Sequence, residues 1–184
     1  MTHIDWVKIG EAVSFYKACG YTYIDVPWRV DIDSIKETID EPSIIKTSNG
    51  LGLIGSAEQS FIYLTRQGLL RPGRYVSCTP CFRVEPEYNN LSKPEFMKVE
   101  LFDSSSFVHY DLTMMISKAG QFFSMYTKDV ELVKTLEGYD YVLNGIEIGS
   151  YGLRYFRDTE GVNNFSWNYG TGLAEPRFST ALET

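Results

Sequence analysis

Residues 78–102 read CTPCFRVEPEYNNLSKPEFMKVELF, and this stretch predicts the centre of the fold. Residues 74–82 and 96–102 are typical of β-strands, and in the second of them charged or aromatic side chains alternate with apolar ones. The segment 85–95 between them is polar and carries two prolines, which favours a loop. The stretch therefore predicts two antiparallel strands joined by a hairpin loop, with Arg83 at the end of the first strand.

Periodic patterns elsewhere predict further helices and strands around this hairpin. Helical patterns cover residues 7–19, 57–67 and 112–136, and shorter ones cover 33–39 and 174–182. Strand patterns cover residues 21–26, 139–148, 151–157 and 164–169, and the glycine-rich YGTG at 169–172 is expected to form a turn. We therefore expect residues 1–184 to form one α+β domain, an antiparallel β-sheet flanked by helices.

The composition is typical of a soluble globular protein. Of the 184 residues, 43% are hydrophobic and 22% are charged, and no apolar run approaches the roughly 20 residues of a membrane helix. The net charge is −7 with no run of lysine and arginine, so we expect neither a membrane nor duplex DNA as a partner. The odd number of three cysteines and the lack of a signal peptide favour the cytoplasm.

The stretch 49–61, NGLGLIGSAEQSF, contains the spacing G-x-G-x-x-G that can mark a dinucleotide site. Such a site needs a preceding strand, a surrounding βαβ unit and an acidic residue about 20 positions later. Glu58 comes too early for that role and Glu85 too late, and no βαβ pattern surrounds the glycines. The spacing is therefore not expected to bind a dinucleotide.

Cys78 and Cys81 form a C-x-x-C pair. A zinc site would need two more ligands, and the remaining candidates, Cys19, His3 and His109, are poorly spaced for it. A redox pair is expected at a helix N-terminus, whereas this pair lies in a strand pattern. We therefore expect buried strand cysteines.

Two arginines and three glutamates form a more informative set. Arg83 and Arg177 could hold phosphates, and Glu58, Glu100 and Glu147 could hold a metal ion or an amine. Taken singly, each arginine is better explained as part of a surface salt bridge, and only the set as a whole indicates a site. A site for Mg²⁺ and a nucleotide requires this mixture, because Mg²⁺ prefers carboxylate and phosphate oxygens.

In their order along the chain, these segments resemble the catalytic core of the class II aminoacyl-tRNA synthetases. AVSFYKACGYTYIDVPW (12–28) resembles motif 1, residues 78–102 with F-R-x-E and F-x-K-V-E-L resemble motif 2, and YGTGLAEPRFSTALE (169–183) resembles motif 3. Motifs 2 and 3 are closest to the seryl type. LIGSAEQS (53–60) is similar to the T-x-E loop that faces the substrate amine, and YDYVLNGIEIGSYGLRYF (139–156) has aspartyl- and lysyl-type character.

The resemblance implies roles for the residues that match the motifs. Arg83 and Arg177 would be catalytic, Arg83 on the ATP α-phosphate and the reacting carboxylate and Arg177 on the γ-phosphate. Glu85 would bind the adenine amino group, and Phe96 and Arg177 would cover the two faces of the ring.

The same resemblance implies sites for the metal and for the amino acid. Glu147 and Ser150 match the positions that hold Mg²⁺, and Glu58 and Glu100 would bind the ammonium group of the amino acid. Arg154 is a candidate for binding the nucleotide or the substrate carboxylate.

The resemblance implies ATP-dependent activation of an amino acid as its adenylate, with ATP and Mg²⁺ required and pyrophosphate released. The acceptor could be a tRNA, a carrier protein or a small molecule such as ammonia, as in the related AMP-forming asparagine synthetase. A homodimer through the motif 1 segment and a short form without an anticodon-binding domain are expected. The alternative is a catalytically retired paralogue that serves as a dimeric binding or accessory protein.

Overall fold

A computed structural model of the chain describes residues 3–84, 87–89, 91, 93–105, 108–157 and 164–184. The helices in these ranges are α1 (Trp6–Ala18), α2 (Ile32–Lys36), α3 (Ala57–Arg66), α4 (Val108–Phe123) and α5 (Arg177–Glu183). The strands are β1 (Thr22–Tyr23), β2 (Arg29–Val30), β3 (Gly52–Leu53), β4 (Arg74–Phe82), β5 (Glu95–Asp103), β6 (Glu131–Lys134), β7 (Gly138–Leu143), β8 (Ile146–Arg157) and β9 (Asn164–Glu175).

Seven of the strands in the described ranges form one sheet in the order β1-β4-β5-β9-β8-β7-β6. Every neighbouring pair in that sheet is antiparallel except β1 with β4. β2 and β3 form a separate antiparallel pair. The predicted hairpin is confirmed, because β4 and β5 pair along their whole length from Arg74 opposite Asp103 to Phe82 opposite Glu95.

Helices cover both faces of the sheet. On one face, α1, α4 and α5 bury a large apolar core that includes Tyr16, Phe122, Phe123 and Phe178. On the other face, α3 packs through Phe61 in a smaller aromatic core. Phe61 packs there with the buried rings of Phe102, Trp167 and Tyr169. The expected α+β class, an antiparallel sheet flanked by helices, is therefore confirmed.

The pairing of β5 with β9 contains a β-bulge that sets which side chains share a face. Val99 lies opposite Leu173, but the next residue, Glu100, lies opposite Thr171, so Gly172 is the extra residue. Val99 and Leu173 point into the core under α1 and α4. Because side chains alternate along a strand, Glu100 faces the α3 side of the sheet.

The glycines of the YGTG stretch do not form the expected turn. They lie inside β9, where neighbouring side chains leave no space for a β-carbon. A β-carbon on Gly170 would lie 2.6 Å from the Met115 sulfur and 2.6 Å from the Tyr151 ring, and one on Gly172 would lie 2.7 Å from the Tyr16 ring. These glycines therefore serve close packing in a strand, and the predicted strand 164–169 is too short.

Further boundaries differ from the sequence prediction: the helices predicted over 33–39 and 174–182 correspond to the shorter α2 and α5, and the strand predicted over 21–26 corresponds to the two residues of β1. The helix predicted over 112–136 ends at Phe123, and residues 131–134 form β6, which pairs with β7. The strand predicted over 139–148 is interrupted at Asn144 and Gly145, where φ is 51° and 76°. Asn-Gly with positive φ at both positions is the preferred sequence of a two-residue hairpin turn, so β7 and β8 are separate strands.

The remaining predicted helices over 7–19 and 57–67 agree with α1 and α3 to within a residue at each end. Within the described ranges, no helix has both the length and the apolar character needed to cross a bilayer.

We expect Gly172→Ala to destabilise the protein by roughly 1–3 kcal/mol, because Tyr16 is fully buried and cannot move away from the added methyl group. Gly10→Ala is the matched control, since Gly10 lies in α1 with no atom within 4 Å of the position that the added methyl group would take. That variant should gain about 0.5–1 kcal/mol from the higher helix propensity of alanine. Urea unfolding of both variants measures the difference. Equal stability of Gly172→Ala and wild type would contradict the close packing of β9 against Tyr16.

Candidate functional site

A cavity of about 260 Å³ opens on the face of the sheet that carries α3. Its walls are formed by residues of β5, β8 and β9 and by residues that flank the strands, including Arg83 directly after β4. The predicted site residues that line it are Glu58, Arg83, Phe96, Glu147, Ser150, Arg154 and Arg177. The sheet therefore brings together residues that are up to 119 positions apart in the sequence, Glu58 and Arg177 being the extremes.

Arg83 follows β4 directly and contributes a cation to the cavity wall. Its backbone N–H donates to the Pro94 carbonyl at 3.1 Å, and its guanidinium lies over the Phe96 ring, 5.6 Å from the ring centre. Its buried Nε has no hydrogen-bond acceptor among the described residues. A buried guanidinium donor without an acceptor is suited to an anionic ligand.

Arg177 and Glu147 face each other at another part of the wall. Arg177 is the first residue of α5, and its Nη1 lies 3.5 Å from Oε1 of Glu147 in β8. Its Nη2 donates to the Leu91 carbonyl at 3.5 Å. Both side chains are substantially exposed, 36% and 48%, so this long contact can rearrange around a ligand at little cost.

Among the described residues, the two predicted metal ligands, Glu147 and Ser150, do not form a closed metal site. Glu147 and Ser150 both line the cavity, and the Ser150 backbone N–H donates to Thr171 at 3.4 Å. Across the described part of the chain, no cluster of three or more histidine, cysteine, aspartate or glutamate residues is arranged to hold a metal ion. An ion at Glu147 would therefore take its other ligands from a phosphate and from water, which is common for Mg²⁺.

Glu58 lies in the first turn of α3 and accepts hydrogen bonds at both carboxylate oxygens. Trp167 Nε1 donates to Oε1 at 2.7 Å, and Arg154 Nη1 donates to Oε2 at 2.6 Å. The Arg154 guanidinium also lies 3.9 Å from the centre of the Tyr169 ring. Burial acts to lower the pKa of Arg154, but the charge of Glu58 and the hydrogen bond to it outweigh burial and raise it. Glu58 and Arg154 therefore form a fixed ion pair at the cavity wall.

The glycine loop before α3 is held by its own helix. Gln59 is fully buried, and its Oε1 accepts from the backbone N–H of Gly55 at 2.7 Å and from that of Ser56 at 3.4 Å. Its Nε2 donates to Thr38 at 2.7 Å. Backbone donors that already bond Gln59 are not available to a pyrophosphate, which agrees with the sequence argument against a dinucleotide site.

Glu100 is the predicted site residue that lies beneath the cavity wall and not in it. Its side chain has 0% exposure, and Lys98 Nζ lies 2.8 Å from its Oε2. Burial raises the pKa of Glu100, and the positive charge of Lys98 opposes that rise. Glu85, the predicted adenine ligand, lies outside the described residues, so its expected role remains a prediction.

Several residues of the wall have no predicted role. Lys98, Tyr169 and Thr171 line the cavity, as do Thr38 and Ile39, which follow α2. The sequence could have indicated Lys98, because the alternation along residues 96–102 puts it on the same strand face as Glu100. Thr38 and Ile39 had no sequence signal, because they reach the cavity only through the packing of α2 against α3.

The C-x-x-C pair is not part of the cavity. Cys78 and Cys81 are free thiols in β4, Cys78 partly and Cys81 fully buried. Burial raises the pKa of Cys78 to about 11 and that of Cys81 to about 12, so both are protonated at neutral pH. This agrees with the expectation of inert strand cysteines, since a reactive cysteine needs a lowered pKa.

The structure is similar to those of aminoacyl-tRNA synthetases. The crystal structure of pyrrolysyl-tRNA synthetase from Desulfitobacterium hafniense matches with a TM-score of 0.73 and 15% identity, covering 96% of this chain and 68% of that one. A second pyrrolysyl-tRNA synthetase structure from that organism matches with the same score and identity over 98% and 68%. The seryl-tRNA synthetase from Pyrococcus horikoshii complexed with ATP matches with a TM-score of 0.73 and 19% identity, covering 95% of this chain and 48% of that one.

No protein-family model and no curated protein sequence matches the chain. At these identities the structural likeness establishes the fold alone, which is that of the class II synthetase catalytic core.

We expect Glu175, which ends β9 beside Arg177, to make stability depend on pH. Glu175 is fully buried, and only its Oε1 accepts a hydrogen bond from a described residue, Ser179 at 2.9 Å. Burial raises its pKa from 4.5 to about 7. Between these two values the folded state binds more protons than the unfolded state, so this contribution stabilises at low pH and is lost as the pH rises through 7.

Glu175→Gln removes that contribution and provides the measurement. The midpoint of thermal unfolding of wild type should fall more steeply between pH 5 and pH 8 than that of the variant. Ser179→Ala keeps the carboxyl group but removes a hydrogen bond that lowers its pKa, so its slope should be at least as steep as that of wild type. Parallel curves for wild type and Glu175→Gln would show that Glu175 titrates normally.

Proposed function

We propose that this chain activates an amino acid with ATP, forming an aminoacyl adenylate and releasing pyrophosphate. One observation carries the proposal: in a class II synthetase fold, Arg83 contributes to a cavity wall a buried Nε that has no acceptor among the described residues, and the buried carboxylate of Glu100 lies beneath that wall with Lys98 against it. A zwitterionic substrate presents a carboxylate and an ammonium group and could satisfy both. An apolar or simply anionic ligand would leave one of them incompletely hydrogen-bonded, which is costly for a buried group.

The nucleotide would lie along Arg83, Phe96 and Arg177. Arg83 would bind the α-phosphate and the attacking carboxylate, since its free Nε and planar fork suit an oxyanion. Phe96 would stack on the adenine, and Arg177 would leave its long contact with Glu147 for the other ring face and the γ-phosphate. Glu85 would accept from the adenine amino group.

The amino acid would be held by Glu58, Glu100 and Arg154. The two carboxylates would bind its ammonium group from the α3 side and from beneath the wall. Arg154 is fixed by Glu58 and Tyr169, and its remaining N–H groups could donate to a carboxylate or to the nucleotide. This arrangement would present the α-carboxylate of the substrate toward Arg83.

Magnesium would be bound by Glu147 and Ser150. The half-exposed Glu147 carboxylate and the neighbouring hydroxyl are hard oxygen ligands that suit this ion together with phosphate oxygens. When bound, Mg²⁺ neutralises charge on the leaving pyrophosphate. Glu147 would then exchange its contact with Arg177 for the metal.

The reaction requires positioning of charged groups and no protein base. An oxygen of the substrate carboxylate attacks the α-phosphorus, the new oxygen–phosphorus bond forms, and the bond to the bridging oxygen of pyrophosphate breaks. The carboxylate is already ionised, so no proton has to be removed. Arg83 and Arg177 stabilise the charge on the α- and γ-phosphates, and such preorganised cations supply most of the catalysis in phosphoryl-type transfer.

The acceptor of the activated amino acid would be a tRNA, a carrier protein or a small molecule. The reaction would take place in a reducing cytoplasm, which fits the free thiols of Cys19, Cys78 and Cys81. A retired paralogue that binds ligands without catalysis is the alternative that the assay below separates.

We expect ATP–pyrophosphate exchange with at least one of the twenty amino acids, and we expect Arg83→Ala to reduce its rate by about 100-fold or more. Arg71→Ala is the matched control, because Arg71 is exposed and lies outside the cavity. Exchange with no amino acid would refute the enzymatic proposal. If the folded protein nevertheless binds ATP, the retired paralogue is favoured; if it binds no ATP, both forms of the proposal fail.

We also expect a homodimer through the motif 1 segment, residues 12–28. This segment ends in Trp28, which is 54% exposed, and the exposed Trp6 and Val7 lie at the start of α1 nearby in sequence. Trp28→Asp should therefore lower the mass measured by light scattering from dimer to monomer. Leu69→Asp, at a 72% exposed leucine outside the segment, should leave the mass unchanged. A monomeric wild type would contradict this expectation.

A further inference from the structure

Lys98 covers the buried carboxylate of Glu100. The two residues are two positions apart on β5 and therefore project from the same face of the sheet. The Lys98 side chain is 13% exposed and lines the cavity, whereas the Glu100 side chain has no exposure and does not. A substrate ammonium group in the cavity therefore reaches Glu100 only if the Lys98 amine moves aside.

Glu100 is incompletely satisfied by this contact. Its Oε2 lies 2.8 Å from Lys98 Nζ, but neither oxygen accepts a hydrogen bond of good geometry from any described residue. Buried carboxylates normally accept several such bonds. Lys98 thus leaves the hydrogen-bonding capacity of the carboxylate incompletely used, and a better-placed ammonium donor can replace it.

The surroundings offer the displaced lysine a second partner. Arg83 lies in the same wall with a buried Nε that no described residue accepts from, so this part of the cavity is prepared for an anion. The amine of lysine sits on a flexible four-carbon stem and moves as a point charge. A rotation of that stem toward the cavity would bring a second cation to the phosphates that Arg83 binds.

We propose that Lys98 is a displaceable counter-ion: the ammonium group of the amino acid takes its place on Glu100, and the released Lys98 amine binds the phosphates of ATP. This inference rests on the proposed function and adds a coupling between its two substrates. Lys98 would act as a binding residue for ATP only when the amino acid is present. No covalent step is involved, and the net charge at Glu100 is conserved in the exchange.

The exchange makes the two substrates bind cooperatively. An amino acid that binds alone must separate Lys98 from Glu100, and ATP that binds alone lacks the Lys98 amine. When both are present, the phosphates of ATP bind the Lys98 amine that the amino acid has displaced. The separation of Lys98 from Glu100 is then compensated, and ATP gains a cation. The amino acid should therefore tighten the binding of ATP by about tenfold, and by thermodynamic linkage ATP should tighten the binding of the amino acid by the same factor.

Calorimetric titration measures this coupling directly. The probe is the non-reactive analogue α,β-methylene-ATP with Mg²⁺, titrated at pH 8 into wild type without and with an equimolar mixture of the twenty amino acids. The single amino acid that causes the effect is then identified from the mixture. The observable is the ratio of the two dissociation constants of the analogue.

Two variants separate a displaceable counter-ion from a structural lysine. Lys98→Met should bring the ratio from about ten to about one, because no amine remains to be released. Glu100→Gln, which preserves shape, should tighten the binding of the analogue in the absence of amino acid, because Lys98 is free from the outset. Circular dichroism confirms folding, and if Lys98→Met does not fold, Glu100→Gln alone decides.

Lys93→Met is the matched control, since Lys93 lines the same cavity but forms no ion pair among the described residues. It should weaken the analogue equally with and without amino acid and keep the ratio near ten. A Lys98→Met ratio equal to that of wild type, or a Glu100→Gln affinity no tighter than wild type, would overturn the inference.

Failure of the underlying function gives a different result. If wild type binds no analogue at all, the proposed ATP-dependent function itself is wrong. If wild type binds the analogue but no amino acid alters its dissociation constant, ATP binding stands and the coupling through Lys98 is refuted.

Discussion

The pairing of β5 with β9 is the contact on which the site depends. β5 supplies Phe96, Lys98 and Glu100, and β9 supplies Thr171 and leads directly into Arg177. At their bulge, Val99 and Leu173 lie in the core under α1 and α4, and Glu100 faces the opposite side of the sheet. Gly170 and Gly172 permit this pairing, because any larger side chain there would collide with Met115, Tyr151 or Tyr16. Packing on one face thus determines the position of charge on the other.

The charged side chains at the cavity differ in how completely they are hydrogen-bonded. Glu58 and Arg154 bond each other and their aromatic neighbours, so they form a rigid support. Arg83 and Glu100 remain incompletely bonded although the polar atoms concerned are buried. Burying such groups opposes folding, so the large apolar core under α1 and α4 has to offset it. The incompletely bonded groups therefore lower the stability of the protein, but a bound ligand can supply their missing hydrogen bonds.

The sequence predicts the elements that have a local periodic pattern. It fails where the structure depends on a contact between residues that are distant in the sequence. The period-two alternation of residues 96–102 predicts β5 correctly, and seven residues chosen from the motifs line one cavity. The glycines of β9 mislead, because glycine signals a turn as readily as close packing. The pattern shows that Lys98 and Glu100 share a face, but the degree to which one covers the other follows only from the three-dimensional packing.

The hydroxyl of Tyr16 in α1 donates to the carbonyl of Gly172, a bond that joins residues 156 positions apart. It has a consequence for the order of events during synthesis. A nascent chain that has emerged only as far as β8 lacks the strand that separates β5 from β8, and it lacks Arg177 as well. Contacts over such distances form slowly, and β5 and β8 cannot join one sheet before that strand is present. The cavity and the middle of the sheet are completed in the same step, once β9 and the start of α5 have left the ribosome.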